Sequence, residues 1–176
     1  SITAGAAASP GNEWASVVKK WLYGVNPSAR IHFFNAGIGS TEAVFGVSRA
    51  ASDVLSHDPD LIIVDSGGNN NGLPYAQEAY EGEITKFVSA GVPVVNFNCV
   101  FRAGQNVQDN CNKINTAYGV PQVSFRESFW ALAQRKNIPD GLSADDIWSP
   151  DNVHPPNAGH RLCGNLVSSY LQGILD

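Results

Sequence analysis

The chain has 176 residues, 43% of them apolar and 15% charged, with eleven Lys and Arg against sixteen Asp and Glu for a net charge of −5. That composition supports a packed core and argues against disorder. No basic stripe marks a phosphate-backbone binder, and no apolar run approaches the ~18–20 residues that would span a bilayer.

Helical and strand periods alternate along the chain. Ser9-Pro10 reads as an N-cap followed by proline in the first helical turn, with Trp14, Val17, Val18, Trp21 and Leu22 on one face and Gly24 as the stop. Ile31 to Phe34 reads as a short buried strand. A second helix turns Val44, Val47, Ala51, Val54 and Leu55 inward and stops before Pro59. Leu61 to Val64 is a buried strand running into a loop rich in Gly and Asn over 66–72. Ala76, Tyr80, Ile84, Phe87 and Val88 mark a third helix. Val92 to Phe97 is a strand, followed by a helix carrying Val107, Cys111 and Ile114. Val120 to Phe125 is the last strand despite Pro121. A helix begins at Phe129, Trp130 and Ala133, and the final helix carries Leu162, Leu166, Val167, Tyr170, Leu171 and Ile174.

Strands alternating with helices predict an α/β fold, a flavodoxin-like three-layer α/β/α sandwich with a parallel sheet, built as one domain over residues 1–176. No strand is predicted ahead of the first helix, although the first strand of a doubly wound sheet normally lies near its middle. The expectation is that a preceding segment or a companion chain supplies it.

In open α/β sheets, ligands bind outside the carboxyl ends of the strands. Four polar stretches fall at or near that edge: Ser1 to Gly5, Asn35 to Thr41, Ser66 to Gly72, and Asp151 to Pro155. Between them they offer a hydroxyl, backbone amides, side-chain amides, and a carboxylate three residues before an imidazole. Acyl transfer needs that set: a nucleophile, a base, an orienter and oxyanion donors.

In order and content these blocks resemble the SGNH, or GDSL, hydrolase superfamily over nearly the whole chain. Ser1-Ile2-Thr3-Ala4-Gly5 resembles the family's first block with two residues missing at its front. Asn35 to Thr41 is similar to the second block, with Ser40 aligned where the family has glycine, beside Gly39. Gly67-Gly68-Asn69-Asn70 is similar to Gly-x-Asn-Asp, with Asn70 in place of the aspartate. Asp151 to Pro155 matches Asp-x-x-His-Pro intact.

The resemblance implies Ser1 as nucleophile, His154 as general base and then acid, and Asp151 as the residue that orients and balances the imidazole. It implies the N–H of Gly39 or Ser40 and the side-chain amide of Asn69 as oxyanion donors, with no cofactor. The implied activity is a serine esterase. A small acyl group, acetyl on a carbohydrate, is the expected substrate, because no long apolar lid segment is present and Asn71, Tyr75 and Trp148 can flank a polar molecule.

Two other readings stand beside it. One is a lipase or thioesterase with the same chemistry. The other is a catalytically silent module of this fold that binds glycan or protein, motivated by the truncated first block and by Asn70. A metal hydrolase ranks below both, since Asp151 and His154 supply too few ligands and no other His/Asp/Glu cluster is visible. Cys99, Cys111 and Cys163 form no CxxC pair and read as buried thiols with at most one disulfide. His32 and His57 read as structural, and His160 as a helix-start contact.

Overall fold

The computed structural model describes residues 1–65, 68–70 and 75–175. The chain divides into two compact units, one of Ser1–Gly39, Phe101–Ala103 and Phe125–Asp176, the other of Ser40–Val100 and Gly104–Ser124. The fold is α/β. The three strands among the described residues all belong to the second unit, and they form a parallel sheet in the order β1-β2-β3, flanked by helices.

In that unit the elements are α2 (Ala43–Asp53), β1 (Ile62–Asp65), α3 (Ala76–Ser89), β2 (Val94–Asn98), α4 (Gln108–Tyr118) and β3 (Gln122–Ser124). β2 is central and buried at every position, as expected of a strand paired on both sides. It pairs Ile62 with Val94 on one side and Asn96 with Gln122 on the other. Pro121 cannot donate to a ladder, but it sits just before β3 and its carbonyl still accepts the Asn96 N–H at 2.9 Å. Ala76, Tyr80, Ile84 and Phe87 recur at helical spacing on α3 and are all buried. Tyr80, Ile84 and Phe87 join Ala43, Ala50, Ile62, Val64, Val94, Cys111 and Val120 in one apolar core. α4 ends at Gly119, whose φ of +67° suits a residue without Cβ.

The first unit holds α1 (Trp14–Val25), α5 (Ala131–Gln134), α6 (Ala144–Ile147) and the 19-residue α7 (Asn157–Leu175). α1 buries Trp14, Ala15 and Val18, and α7 buries Leu162, Cys163, Val167 and Leu171, where the two helices pack together. A π-type turn over Arg126–Trp130 leads into α5. α6 is closed by a capping box in which Ser143 and Asp146 bond reciprocally, a one-turn helix too short to show a period in the sequence.

Two expectations are corrected. Residues 31–34 are not a strand: an apolar extended run enters a sheet only if another strand completes its ladder, and no described strand pairs with it. Phe34 is 56% exposed there. α1 starts at Trp14 rather than after Ser9, because Gly11 has a φ of +80°, outside the helical region. Ser9 instead binds Asn157, at the start of α7, through its backbone N–H (2.8 Å) and its hydroxyl. The three cysteines are free and buried, and no described helix is long and apolar enough to cross a membrane.

Candidate active site

The first unit brings Ser1, Asp151 and His154 together. Residues 1–6 form a single turn in which the Ala6 N–H bonds the Ser1 carbonyl (3.1 Å) and the Gly5 N–H bonds that of Ile2 (2.9 Å). This nested pair needs a left-handed residue at its end, and Gly5 supplies it with a φ of +90°. The turn is held from two directions. Asn35 donates its side-chain amide to the Thr3 carbonyl at 2.8 Å, and Gly37 lies so close that a Cβ there would stand 2.8 Å from the Ala4 nitrogen. On the other side His160, fully buried on α7, bonds the Ala6 carbonyl through Nε2 at 3.2 Å. Its Nδ1 accepts the Trp14 N–H that opens α1, at 3.1 Å. Both bonds are met by a neutral imidazole protonated on Nε2, and burial foremost pulls the His160 pKa below its ordinary value.

The imidazole of His154 comes from the loop between α6 and α7. Pro150 and Asn152, the latter with a φ of +61°, turn this loop back on itself. Asp151 Oδ2 lies 2.6 Å from His154 Nδ1, and His154 Nε2 lies 2.9 Å from Ser1 Oγ. A carboxylate can only accept, so Nδ1 carries the proton and bare Nε2 faces the serine hydroxyl. The other carboxylate oxygen of Asp151 accepts from the Ser149 hydroxyl (2.7 Å) and from the N–H groups of Val153 (2.8 Å) and His154 (2.9 Å). Hydrogen bonds from the His154 ring and backbone, then from Ser149 and Val153, hold the Asp151 carboxyl well below the usual carboxylate range. The His154 side chain is 24% exposed and that of Asp151 49%, so the pair is open to water.

The remaining predicted residues are placed as follows. Gly39 adjoins the serine: a Cβ on it would lie 3.8 Å from Ser1 Cβ. Ser40 has a φ of +57°, a conformation glycine takes without strain. Asn69 donates its amide to the Thr41 carbonyl at 3.0 Å. Its neighbour Asn70, buried, accepts the Ala43 N–H at 2.8 Å and so caps α2, a structural part the sequence pattern did not mark. Tyr75 is 62% exposed just ahead of α3. Trp148 is 1% exposed and packs edge-on to Phe125 with ring centroids 6.2 Å apart. Its indole is therefore core rather than a surface beside a ligand. Asn71 lies outside the described residues. No group of three or more His, Cys, Asp or Glu among the described residues is arranged to hold a metal.

A model of the GDSL-like lipase/acylhydrolase family matches residues 1–162. Among solved structures, a two-domain esterase active on acetylated mannans, co-crystallised with mannopentaose, is 31% identical with a TM-score of 0.90. The match covers 99% of this chain and 48% of that one, so the chain spans about half the length of that esterase. An acetyl xylan esterase is 20% identical with a TM-score of 0.78, over 97% of this chain and 96% of its own. A psychrotrophic esterase from Pseudoalteromonas sp. is 14% identical with a TM-score of 0.76, over 99% and 93%. The last two are likenesses of fold. No curated protein sequence gives a significant match.

Proposed function

The chain belongs to the GDSL-like lipase/acylhydrolase family of carboxylic ester hydrolases, and from that membership we propose that it is a serine esterase that removes a small acyl group, acetyl foremost, from a carbohydrate. The observation that carries the reading is the hydrogen-bonded series Ser1 Oγ, His154 Nε2, His154 Nδ1, Asp151 Oδ2, with links of 2.9 and 2.6 Å. Bare Nε2 takes the Ser1 proton as Oγ attacks the ester carbonyl. The resulting imidazolium is balanced by the Asp151 carboxylate, which stays ionised throughout. Collapse of the tetrahedral adduct breaks the bond to the sugar oxygen, which leaves with the proton from Nε2, and the acyl group remains on Ser1. A water then repeats the sequence, releasing the acid and restoring the serine.

The oxyanion donors are assigned from the second and third blocks. They are the backbone N–H of Gly39 or Ser40 and the second N–H of the Asn69 amide, whose first is given to Thr41. Tyr75 and Asn71 are assigned to the sugar side. The acetyl-carbohydrate preference draws support from the 31% identical esterase, which is active on acetylated mannans.

The test combines intact mass after fluorophosphonate treatment, peptide mapping, and acetate release from acetylated mannan. Expected are one adduct on Ser1, none in His154→Ala, and faster hydrolysis of p-nitrophenyl acetate than of the octanoate. An adduct on another serine would refute the assignment of Ser1. A strong preference for the octanoate would overturn the acetyl reading and leave a lipase or thioesterase.

A further inference from the structure

Ser149 lies two residues before Asp151 and belongs to none of the blocks described above, yet it is bonded to three residues of the loop that carries the Asp–His pair. Its N–H donates to the His154 carbonyl (2.9 Å), its carbonyl accepts the Asn152 N–H (2.9 Å), and its hydroxyl donates to Asp151 Oδ1 (2.7 Å). The first backbone bond joins the two ends of the 149–154 loop, and the second forms a turn inside it. The hydroxyl acts on the carboxylate itself. With Val153 N–H and His154 N–H it gives Oδ1 three donors, which leaves Oδ2 as the oxygen presented to Nδ1.

The loop is also anchored from outside. The Arg102 N–H donates to the Asn152 carbonyl (3.0 Å), and the Arg102 carbonyl accepts the Trp130 indole N–H (3.0 Å). The Arg102 guanidinium is paired with Asp145 at 2.6 Å. These backbone contacts fix where the loop sits but do not touch the carboxylate. Among side chains other than His154, only the Ser149 hydroxyl bonds the Asp151 carboxylate among the described contacts.

We propose that Ser149 is a positioning residue whose hydroxyl orients the Asp151 carboxylate and sets how strongly it charges the His154 imidazole. The inference rests on the reading of Ser1, His154 and Asp151 as the catalytic set. Removing the hydroxyl has two consequences. The carboxylate can rotate about its χ angles and spend time out of line with Nδ1. Its charge, shared with one donor fewer, favours the imidazolium more strongly, so the imidazole titrates at higher pH. The other titratable or charged groups near the pair include the Ser1 nitrogen, which donates to the Ile38 carbonyl (3.4 Å), His160, neutral and buried, Glu13, which interacts with His160, and the mutually paired Arg102 and Asp145.

The experiment compares the parent with Ser149→Ala, Ser149→Thr and Ser149→Cys. Hydrolysis of p-nitrophenyl acetate is followed from about pH 5 to about pH 9 and normalised to fluorophosphonate-reactive sites. The His154 ring protons are titrated in parallel by NMR, assigned with His154→Asn. Expected for Ser149→Ala is a kcat lower by roughly tenfold with KM within about twofold, the signature of a lost transition-state arrangement. Its acid limb and NMR midpoint should both move to higher pH. Thr, which keeps the hydroxyl, should restore both, while Cys, similar in size but a weak donor, should behave like Ala.

A Cys variant that matches the parent would overturn the proposal in favour of simple space filling, and so would an unmoved midpoint in all variants. Should Ser149→Ala fail to fold, the Thr and Cys pair decides alone. A parent that neither hydrolyses nor labels refutes the esterase reading, whereas the NMR titration still decides whether Ser149 controls the Asp151–His154 pair.

Discussion

Gly164, in the middle of α7, gives the packing of the first unit a sharp test. A Cβ added there would stand 2.4 Å from Val17 Cβ, 2.6 Å from Val17 Cγ1 and 2.9 Å from the Trp14 carbonyl oxygen. Two of those three atoms are fixed to the α1 backbone, so no rotamer change removes the overlap, and α1 must retreat from α7 by about 1 Å to regain ordinary contact. Gly→Ala in a helix interior gains about 1 kcal/mol in propensity. Overpacking costs ~1–3 kcal/mol, and a backbone-limited clash belongs at or beyond the upper end. The net is a destabilisation of roughly 2 kcal/mol, or a Tm lower by about 4–8 °C for a chain of this size.

Gly173, on the same helix, is the control. Nothing lies within 4 Å of its added Cβ, so Gly173→Ala keeps the propensity gain without the clash, and its Tm should be equal to or slightly above the parent's. Val17→Ala, combined with Gly164→Ala, removes Cγ1 but not Cβ and should recover only part of the loss. Thermal unfolding by circular dichroism reads all four proteins. A Gly164→Ala variant as stable as the parent, or a Gly173→Ala variant destabilised to the same degree, would refute the packing argument.

The two neighbouring asparagines should separate cleanly. Asn69→Ala should lower kcat by about 10²–10³ with little change in KM or Tm, whereas Asn70→Ala strips the cap from α2 and should lower stability by about 1 kcal/mol with kcat per labelled site retained. Burial pushes the Glu83 carboxyl up to about 7, against the partial relief of Arg49. A pKa raised in the folded state means the folded chain holds the proton longer, so this contribution falls as pH rises from the unfolded value of ~4.3 toward 7. Glu83→Gln should therefore raise Tm above about pH 7 and change it little near pH 4; equal shifts at both would refute the assignment. His160 has the opposite sign. Its folded pKa is depressed, so below about pH 6.5 the unfolded chain takes up a proton that the folded one refuses, and stability falls with pH. His160→Gln, an uncharged donor and acceptor, should flatten that acid slope in a plot of Tm against pH, and an unchanged slope would place the sensitivity elsewhere.

These contrasts also explain which features the sequence could disclose. Helix faces were readable because their partners recur every three or four residues, as Ala76, Tyr80, Ile84 and Phe87 do. The Asp151–His154 contact was readable because the two lie only three residues apart in one tight turn, where both side chains can face each other, as they do at 2.6 Å. Contacts between distant segments left no such trace. Ile31 to Phe34 has the composition of a strand, but composition does not supply the neighbour a strand needs, and the segment pairs with none of the described strands. Trp148 has the chemistry of a sugar platform and of a core residue alike, and only its 1% exposure decides between them.

The clamp on the turn that carries Ser1 is the most instructive case. The side chains of Ala6 and Trp14 give no sign of this contact, because it is their backbone groups that His160 holds. A sequence pattern records side chains, so a site supported through main-chain atoms shows only the supporting residue and not what it supports. Ser149 escaped notice for the same reason, and Asn70 stood out only as a departure from the third block and not as the cap of α2, since two of the Ser149 bonds and the Asn70 cap run to or from backbone. The residues proposed for the chemistry were therefore nameable in advance as candidates, while the contacts that hold their loops became nameable only once the backbone hydrogen bonds were traced.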